Sequence, residues 1–188
     1  MKTFLTLCAT LALTLGASAQ VPAVVTARDV KIDKISPSVN TSPEFTVRNT
    51  TDKRAEYLKW LEIEVEFSVD RVELVDELTF DYIVEINGKL CPGEITHVNI
   101  PKGKRYSVMY VSPRSIDRLT GNKPLNAGMI GNMWIKIKKQ GQTLAEKSLQ
   151  TGIPKNQQQF PGFLIPKSET PFHPLWWDRY EATKPSAR

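Results

Sequence analysis

The chain has 188 residues and a formal net charge of +5, and 40% of its residues are hydrophobic while 24% are charged. These values are ordinary for a globular protein and predict one domain with a real core, plus a second only if it is small. The basic residues are scattered and do not form the dense stripe that nucleic-acid-binding proteins carry, which excludes nucleic acid as an expected partner.

The first residues have the pattern of a secretory signal peptide. Lys2 precedes a mostly apolar run, Phe4–Leu15, and an Ala-Ser-Ala cleavage site follows at residues 17–19. This order predicts a signal peptide over residues 1–19 and a mature chain that begins near Gln20. The apolar run is shorter than the roughly 20 residues that span a bilayer, and no later stretch approaches that length. We therefore expect an exported protein, periplasmic, on the outer surface or extracellular, with no membrane span in its mature chain.

The two cysteines differ in what they predict. Cys8 lies inside the apolar run and away from the cleavage site, so it does not indicate a lipid anchor. Cys91 is the cysteine of the mature chain and lies beside a Pro-Gly turn. An unpaired cysteine in an oxidising compartment is either buried or forms a bridge between two chains. Burial is favoured, because free cysteine is among the most buried residue types, and an intermolecular disulfide at Cys91 is the alternative.

Alternating hydrophobic and polar residues dominate the middle of the chain. The strongest example is WLEIEVEFSV, residues 60–69, in which five apolar side chains alternate with three glutamates and a serine. A period of two places the two sets on opposite faces of a half-buried β-strand. Further strand candidates are residues 29–33, 44–49, 78–86, 94–100, 106–111, 134–138 and 142–149, and residues 71–75 fit either a strand or a helical turn.

The residues between these segments favour antiparallel hairpins. Asn87-Gly88 is a turn dipeptide, and tight loops that contain Gly103 and Gly141 join two further pairs of strand candidates. One short helix is also predicted, because Ser112 can cap it and the proline that follows suits its first turn. Eight or so short strands, with turns roughly every 8–12 residues, predict an all-β antiparallel sandwich.

Two strand candidates carry complementary charges on their polar faces. The WLEIEVEFSV strand exposes a row of glutamates, and the strand at residues 134–138 exposes Lys136 and Lys138. If these strands are neighbours, the opposite charges pair across the exposed face and set the register. We therefore interpret Glu62 and Glu64 as structural residues and not as a carboxylate pair for acid–base catalysis.

The hydrophobic periodicity ends at residue 150, so residues 151–188 predict an extended, proline-rich tail that packs on the sandwich domain of residues 20–150 or on a partner. This tail contains the aromatic stretch PFHPLWWDRY, residues 171–180. Three interpretations stay open: the stretch covers an open edge of its own domain, docks on a partner protein or another subunit, or stacks its rings against sugars. The candidate partner-binding residues are Phe172, Trp176, Trp177, Arg179 and Tyr180.

No motif for catalysis, metal binding or a cofactor stands out in the sequence. The spacing of Cys91 and His97 fits no zinc site, and His173 lies in the tail without a ligand set around it. His97 falls in a strand candidate and is expected to be half-exposed. The G-x-S-x-G, Walker A and H-E-x-x-H patterns do not occur, so we expect a protein that is not an enzyme and binds no metal or cofactor.

Two resemblances to known proteins refine the fold prediction. The segment EFTVRNTTDKRAEYLKWLEIEVEF, residues 44–67, resembles the first paired strands of many bacterial immunoglobulin-like domains. No cysteine pair brackets Trp60, so the disulfide of antibody domains is not expected. Through its GASAQ, WLEIEVEFSV and PLWWDRY segments, the whole chain resembles small exported immunoglobulin-like proteins that are encoded beside type IV pilus assembly genes in mucin-degrading gut bacteria.

This second resemblance implies an immunoglobulin-like sandwich and a non-catalytic role in type IV pilus or surface assembly, with a protein partner or self-association. The apolar N-terminal segment of this chain looks removable, whereas ordinary type IV pilins retain theirs, so the resemblance implies an accessory or differently built subunit. It implies no site residues. The alternative function is a carbohydrate-binding module that binds mucin glycans through the tail aromatics.

Overall fold

The structure is a computed structural model that describes residues 25–45, 58–150 and 158–184. The predicted signal peptide lies outside these residues, as do residues 46–49 of the strand candidate 44–49, whose two described residues are not in a strand. The strands are β1 (Val30–Thr41), β2 (Lys59–Ile86), β3 (Lys89–Val111), β4 (Ile130–Lys139), β5 (Gln142–Ser148) and β6 (Leu164–Pro166). The helices are α1 (Pro113–Thr120) and two 3₁₀ turns, Ala127–Met129 and Lys167–Glu169. Within the described residues, no helix is long and apolar enough to cross a membrane.

Two long strands organise the fold. β2 and β3 form an antiparallel hairpin that turns at Asn87-Gly88, where the two φ angles are 49° and 73°, and this turn was predicted. Asparagine and glycine tolerate this left-handed backbone better than other residues do. β2 has 28 residues and β3 has 23. Since a straight strand as long as β2 would extend for about 90 Å, far beyond the size of such a domain, both strands must bend.

The bend lies where the pairing of β2 and β3 shifts register. Val69 pairs with Gly103 and Leu74 pairs with Pro101, so residues 70–73 of β2 stand opposite a single residue of β3. A bulge of this kind lets a strand leave one sheet and enter another. The φ angle of Gly103 is 106°, which a residue with a Cβ atom rarely adopts. We refer to residues 70–73 and 101–103 as the corner.

The two halves of the hairpin belong to two packed sheets. Before the corner, β2 lies between β1 and the second half of β3, which also pairs with β6. After the corner, β2 lies between β4 and the first half of β3, and β5 pairs with β4. The inner faces meet where Phe67 of one sheet contacts Phe80 of the other, with ring centroids 4.8 Å apart. The predicted all-β, immunoglobulin-like sandwich with one short helix is therefore confirmed.

The alternating pattern of β2 fills the core between the sheets. Every second residue of β2 on either side of the corner is fully buried: Leu61, Ile63, Val65, Phe67 and Val69, then Leu78, Phe80, Tyr82, Val84 and Ile86. Burying a side chain of this size contributes about 1.5–3 kcal/mol. Val75, just after the corner, is fully buried as well, so the buried positions change from odd to even numbers between Val75 and Leu78.

The helix that follows β3 begins as predicted. Ser112 caps α1, since its Oγ accepts a hydrogen bond from the backbone N–H of Ser115 at 3.2 Å. Gly121 ends the helix in the left-handed conformation with φ 67°. Ile116 and Leu119 lie on one face of α1 and are buried in the core of the sandwich.

The hairpin loop predicted around Gly103 is wrong. β3 runs without a break from Lys89 to Val111, so the IPKGKR segment is the corner of one strand. Neighbouring proline and glycine indicate an irregular backbone, but the pairing with β2 decides whether the chain bends or reverses there. For the same reason, the ambiguous segment 71–75 is part of β2.

The pairing predicted between the glutamate row and the lysines of β4 is also wrong. β4 pairs with the second half of β2, which lies in the other sheet. Lys138 forms an ion pair with Asp81 of that half, and Lys136 Nζ lies 3.4 Å from Glu146 of β5. The glutamates of the first half contact β3 and the tail, and Glu66, for example, forms an ion pair with Lys104 of β3 at 2.8 Å.

Candidate interaction surface

The C-terminal tail follows the edge of β3 that β2 leaves open. The backbone N–H of Phe160 donates to the carbonyl of Leu90 at 2.7 Å, and β6 pairs with the end of β3. Further along, the N–H of Val98 donates to the carbonyl of Ala182 at 2.9 Å. An open strand edge is a template for pairing with other chains, so the tail removes an aggregation hazard. This path is the one described by the first of the three interpretations of the tail.

A small second core fixes the tail on the outer face of the first sheet. Phe172 is only 2% exposed and packs between Trp60 and Tyr110. Its ring meets the Trp60 ring edge-on at 5.7 Å and stacks on the Tyr110 ring at 5.0 Å. The Trp176 ring stacks on the Phe172 ring, with the two ring centroids 6.4 Å apart. Buried aromatic pairs of this geometry add about 0.5–1.5 kcal/mol to the free energy of burial.

A charged contact fixes the tail a second time, just after the tryptophans. Arg179 donates two hydrogen bonds to the carboxylate of Glu64, at 2.7 and 2.8 Å, and its guanidinium lies 3.8 Å from the ring centroid of Tyr106. The hydroxyl of Tyr180 also donates to Glu64, at 2.8 Å. The hydrogen bonds from Arg179 hold the pKa of the Glu64 carboxyl below its usual value. With Phe172, three of the five predicted partner-binding residues therefore contact the protein's own sheet.

The two adjacent tryptophans remain on the surface between these fixed points. Trp176 is 49% exposed and Trp177 is 79% exposed, the largest value among the large hydrophobic residues that the structure describes. The backbone of Trp176 has a φ of 49°, a left-handed conformation that is uncommon for a bulky residue. The structure thus separates the predicted set into Phe172, Arg179 and Tyr180, which hold the tail, and the tryptophans, which face solvent.

A cavity of about 230 Å³ lies between the tail and β3. Trp177 and Tyr180 line it together with apolar side chains of β3 such as Val108. Its polar lining includes Lys167 and Glu181 of the tail. A cavity with aromatic and apolar walls and a few polar groups has the general composition of a small-ligand site.

His97 is one of the residues that line this cavity and is buried, so the prediction of a half-exposed side chain is wrong. It is 1% exposed because the tail covers its strand. Tyr82 donates a hydrogen bond to Ser107 at 2.7 Å, and Ser107 Oγ lies 2.7 Å from His97 Nε2. His97 Nδ1 lies 3.3 Å from the carbonyl of Glu181 in the tail. Burial lowers the pKa of His97 to about 4.

The contact between Ser107 and His97 does not have the properties of a catalytic pair. Ser107 is fully buried and shares its oxygen with Tyr82, and the low pKa of His97 makes it a weak base at neutral pH. The atom that orients the imidazole is a backbone carbonyl, where hydrolases use a carboxylate. This chain of hydrogen bonds is suited to joining the tail to the core.

Two sequence predictions concern sites outside the cavity: a disulfide at Cys91 and the absence of a metal site. Cys91 is buried in β3, and burial raises the pKa of its thiol to about 11. A bridge from Cys91 to a second chain would require β3 to open, and the intermolecular disulfide stays a prediction. In the described part of the chain, no group of three or more His, Cys, Asp and Glu side chains is arranged to hold a metal ion.

Comparison with known proteins gives a family and a shared fold. A sequence profile of one protein family matches residues 21–187, whereas no curated protein matches the chain in sequence. Three chains of solved structures match, and one of them is in the crystal structure of a protein from Akkermansia muciniphila. That protein is 23% identical to this one and superposes with a TM-score of 0.74, over 85% of this chain and 94% of the other, which establishes the fold alone. Because the family profile extends over the sandwich and the tail together, this chain belongs to that family.

Proposed function

We propose that this chain is an exported, non-catalytic interaction protein that serves type IV pilus or other surface assembly and contacts its partner through the tail tryptophans. The observation that carries the proposal is the 79% exposure of Trp177 on a tail that is otherwise fixed to the sheet. Large exposed apolar side chains are unfavourable in water, and tryptophan is enriched among the residues that dominate binding at protein interfaces.

The fixed points on either side of the tryptophans support this role. Phe172 precedes them in its buried site, and Arg179 follows them in its contact with Glu64. The backbone around Trp176 and Trp177 is thus held before any partner arrives. A surface that is already ordered loses less conformational entropy on association, which favours affinity.

The export and pilus parts of the proposal rest on the sequence. The signal-peptide pattern at residues 1–19 supports export. The resemblance to proteins encoded beside pilus assembly genes supports a role at the cell surface. Since the apolar N-terminal segment is predicted to be removed, we propose an accessory subunit and not a pilin that packs through an apolar helix.

The first experiment tests location and contact surface together. The full chain, Trp177→Ala and Leu74→Ala are expressed in the producing bacterium, and each is quantified in the cytoplasmic, periplasmic and sheared surface fractions. Leu74 is a matched control because it is an exposed hydrophobic residue of β2 next to the corner. We expect the wild type and Leu74→Ala in the surface fraction and about a tenfold smaller amount of Trp177→Ala, the loss of roughly 1.4 kcal/mol of binding free energy. Equal recovery of all three proteins contradicts the contact surface, and retention in the cytoplasm contradicts export.

A second candidate function is sugar binding, and one observation favours it. The cavity beside Trp177 combines aromatic rings with polar side chains in a volume of about 230 Å³. Aromatic rings bind the C–H faces of a pyranose, and polar groups at the rim bind its hydroxyls. The two candidates share Trp177 and differ in Lys167, which lines the cavity and is not part of the proposed protein contact.

A further inference from the structure

The cavity contains a cation that lacks a compensating charge. The Nζ of Lys167 donates to the carbonyl of His173 at 3.0 Å and lies 5.3 Å from the ring centroid of Tyr180. Both of these partners are neutral, and among the described residues no carboxylate forms an ion pair with Lys167. Burial lowers the pKa of its ammonium group. A partly desolvated cation gains stability when an anion binds next to it.

The carboxylate in the cavity lining, that of Glu181, already has a partner. Glu181 Oε1 lies 3.3 Å from Arg105 Nε, on the edge of the sheet. The electrostatic balance of the cavity therefore favours an anionic ligand over a cationic one.

The shape and walls of the cavity restrict what that ligand is. Its volume of about 230 Å³ is below the 300–1,000 Å³ of sites for drug-sized molecules, and it suits a ligand of about one ring. Trp177 and Tyr180 provide aromatic surface, and Ser168 and Thr183 add hydroxyl groups to the lining. An extended peptide requires a groove or an open strand edge, and the tail covers the adjacent edge of β3.

We propose that this cavity binds one acidic sugar unit, with its carboxylate or sulfate beside Lys167 and its ring against Trp177. The inference rests on the second candidate function, sugar binding, and specifies the class of sugar. It makes Lys167 the residue that distinguishes acidic from neutral sugars. It makes Trp177 the residue that both classes require.

The test uses the mature protein, residues 20–188, and three probes: methyl glucuronide for the carboxylate, galactose 6-sulfate for the sulfate, and methyl galactoside as the neutral sugar. Binding is measured by calorimetry and by tryptophan fluorescence at low and at physiological salt. We expect the acidic sugars to bind about tenfold more tightly than the neutral one, and this preference to shrink with salt. A preference for only one of the two acidic probes identifies which anion the site accepts.

Three variants and one control assign the preference to the proposed residues. Lys167→Met is expected to reduce acidic-sugar affinity about tenfold, to the level of the neutral sugar, while Lys167→Arg retains most of the preference. Lys102→Met is the control, because Lys102 lies at the corner and pairs with Glu73. Trp177→Ala is expected to weaken all three sugars. Thermal unfolding of each variant shows whether it is folded, and Lys167→Arg with the salt series keeps the test valid if Lys167→Met is unstable.

The remaining outcomes overturn the inference in different ways. Equal binding of acidic and neutral sugars contradicts the role of Lys167 and leaves sugar binding intact. Absence of binding to all three sugars contradicts the inference and the second candidate function together, but not the protein-contact function, which the Trp177 and Leu74 variants test in cells. Binding of an acidic peptide, oligoglutamate, in place of the sugars identifies a protein ligand and overturns the inference.

Discussion

Glu64 and His97 are the residues through which the sheets hold the tail. Glu64 binds Arg179, and His97 contacts the carbonyl of Glu181. In the sequence, Glu64 is one member of an outward row and His97 is one polar residue in a strand. Their partners lie 115 and 84 residues further along the chain. The alternating pattern predicts which face of a strand a residue occupies, but it contains no information on what covers that face, so both contacts were missed.

The burial of His97 predicts a loss of stability in mild acid. The pKa of a histidine in the unfolded chain is about 6.5, and that of His97 in the folded protein is about 4. Between these values the unfolded state binds a proton that the folded state excludes, so the free energy of unfolding falls as the pH falls. The contribution is fully present above pH 6.5 and decreases by about 3 kcal/mol by pH 4.

Urea denaturation of the wild type and His97→Gln between pH 8 and pH 4 measures this effect. The wild type is expected to lose about 3 kcal/mol more than His97→Gln over this range, since the other titrating groups are common to both proteins. His173→Gln is the control, because His173 is exposed in the tail and the variant should follow the wild-type profile. Parallel profiles for the wild type and His97→Gln contradict the buried, neutral state of His97.

At the scale of elements, the tail is held by a few buried contacts and little regular structure. Among its described residues, 158–184, the one strand is β6, which has three residues. Between β6 and the backbone contact of Ala182, the tail depends on Phe172 and on the contact of Arg179 with Glu64. The tail is therefore expected to lose its attachment over this stretch when Phe172 is truncated.

The variant Phe172→Ala is expected to destabilise the protein by about 3 kcal/mol, because truncating a buried phenylalanine removes apolar burial and leaves a cavity. Denaturant unfolding measures the total effect, and amide hydrogen exchange of Val98 shows whether the edge of β3 opens. Trp177→Ala is the matched control, and its effect should stay below about 0.5 kcal/mol since the side chain is exposed. Similar unfolding free energies for both variants would contradict the division of the tail aromatics into fixed and exposed residues.

Local sequence patterns predict individual strands and helices, but they do not predict features that depend on long-range pairing. Alternation in β2 and the capping pattern of α1 are local signals, and both predictions are confirmed. The corner was predicted as a loop, because proline and glycine at positions 101 and 103 are compatible with a bend and with a reversal. Only the pairing of β3 with β2 decides between a bend and a reversal, and that pairing joins residues far apart in the chain. The path of the tail is unpredictable for the same reason, since it follows an edge that exists only after the sheets have formed.

At the scale of the molecule, the tail covers two parts of the sandwich: the outer face of the first sheet and the edge of β3. Without it, Trp60 and Tyr110 would be exposed on the outer face of the first sheet, and the edge of β3 would have no partner over residues 96–98. The domain division at residue 150 therefore describes the sequence pattern, whereas the described tail, residues 158–184, packs with the sheets as part of the same body.

Removal of residues 171–188 is expected to lower the unfolding temperature by on the order of 10 °C, because several kcal/mol of burial is lost from a domain of this size. Differential scanning calorimetry measures the shift, and sedimentation velocity measures whether the uncovered edge of β3 causes association. Trp177→Ala is the control, since it removes the most exposed ring and leaves the stacking of Trp176 on Phe172 in place. A truncated protein with an unchanged unfolding temperature contradicts the structural role of the tail and limits it to binding.

The shared hairpin also determines which changes of chain length this family tolerates. β2 and β3 each contribute to both layers, so an inserted residue within either strand reverses the inward and outward faces of everything up to the next irregularity. An insertion or deletion at residues 70–73 is expected to have a smaller consequence, because these four residues already lie opposite a single residue of β3 and outside the regular ladder. Length variation among relatives is therefore expected to collect at that bend and in the connections between strands, while the arms of the hairpin keep a constant length.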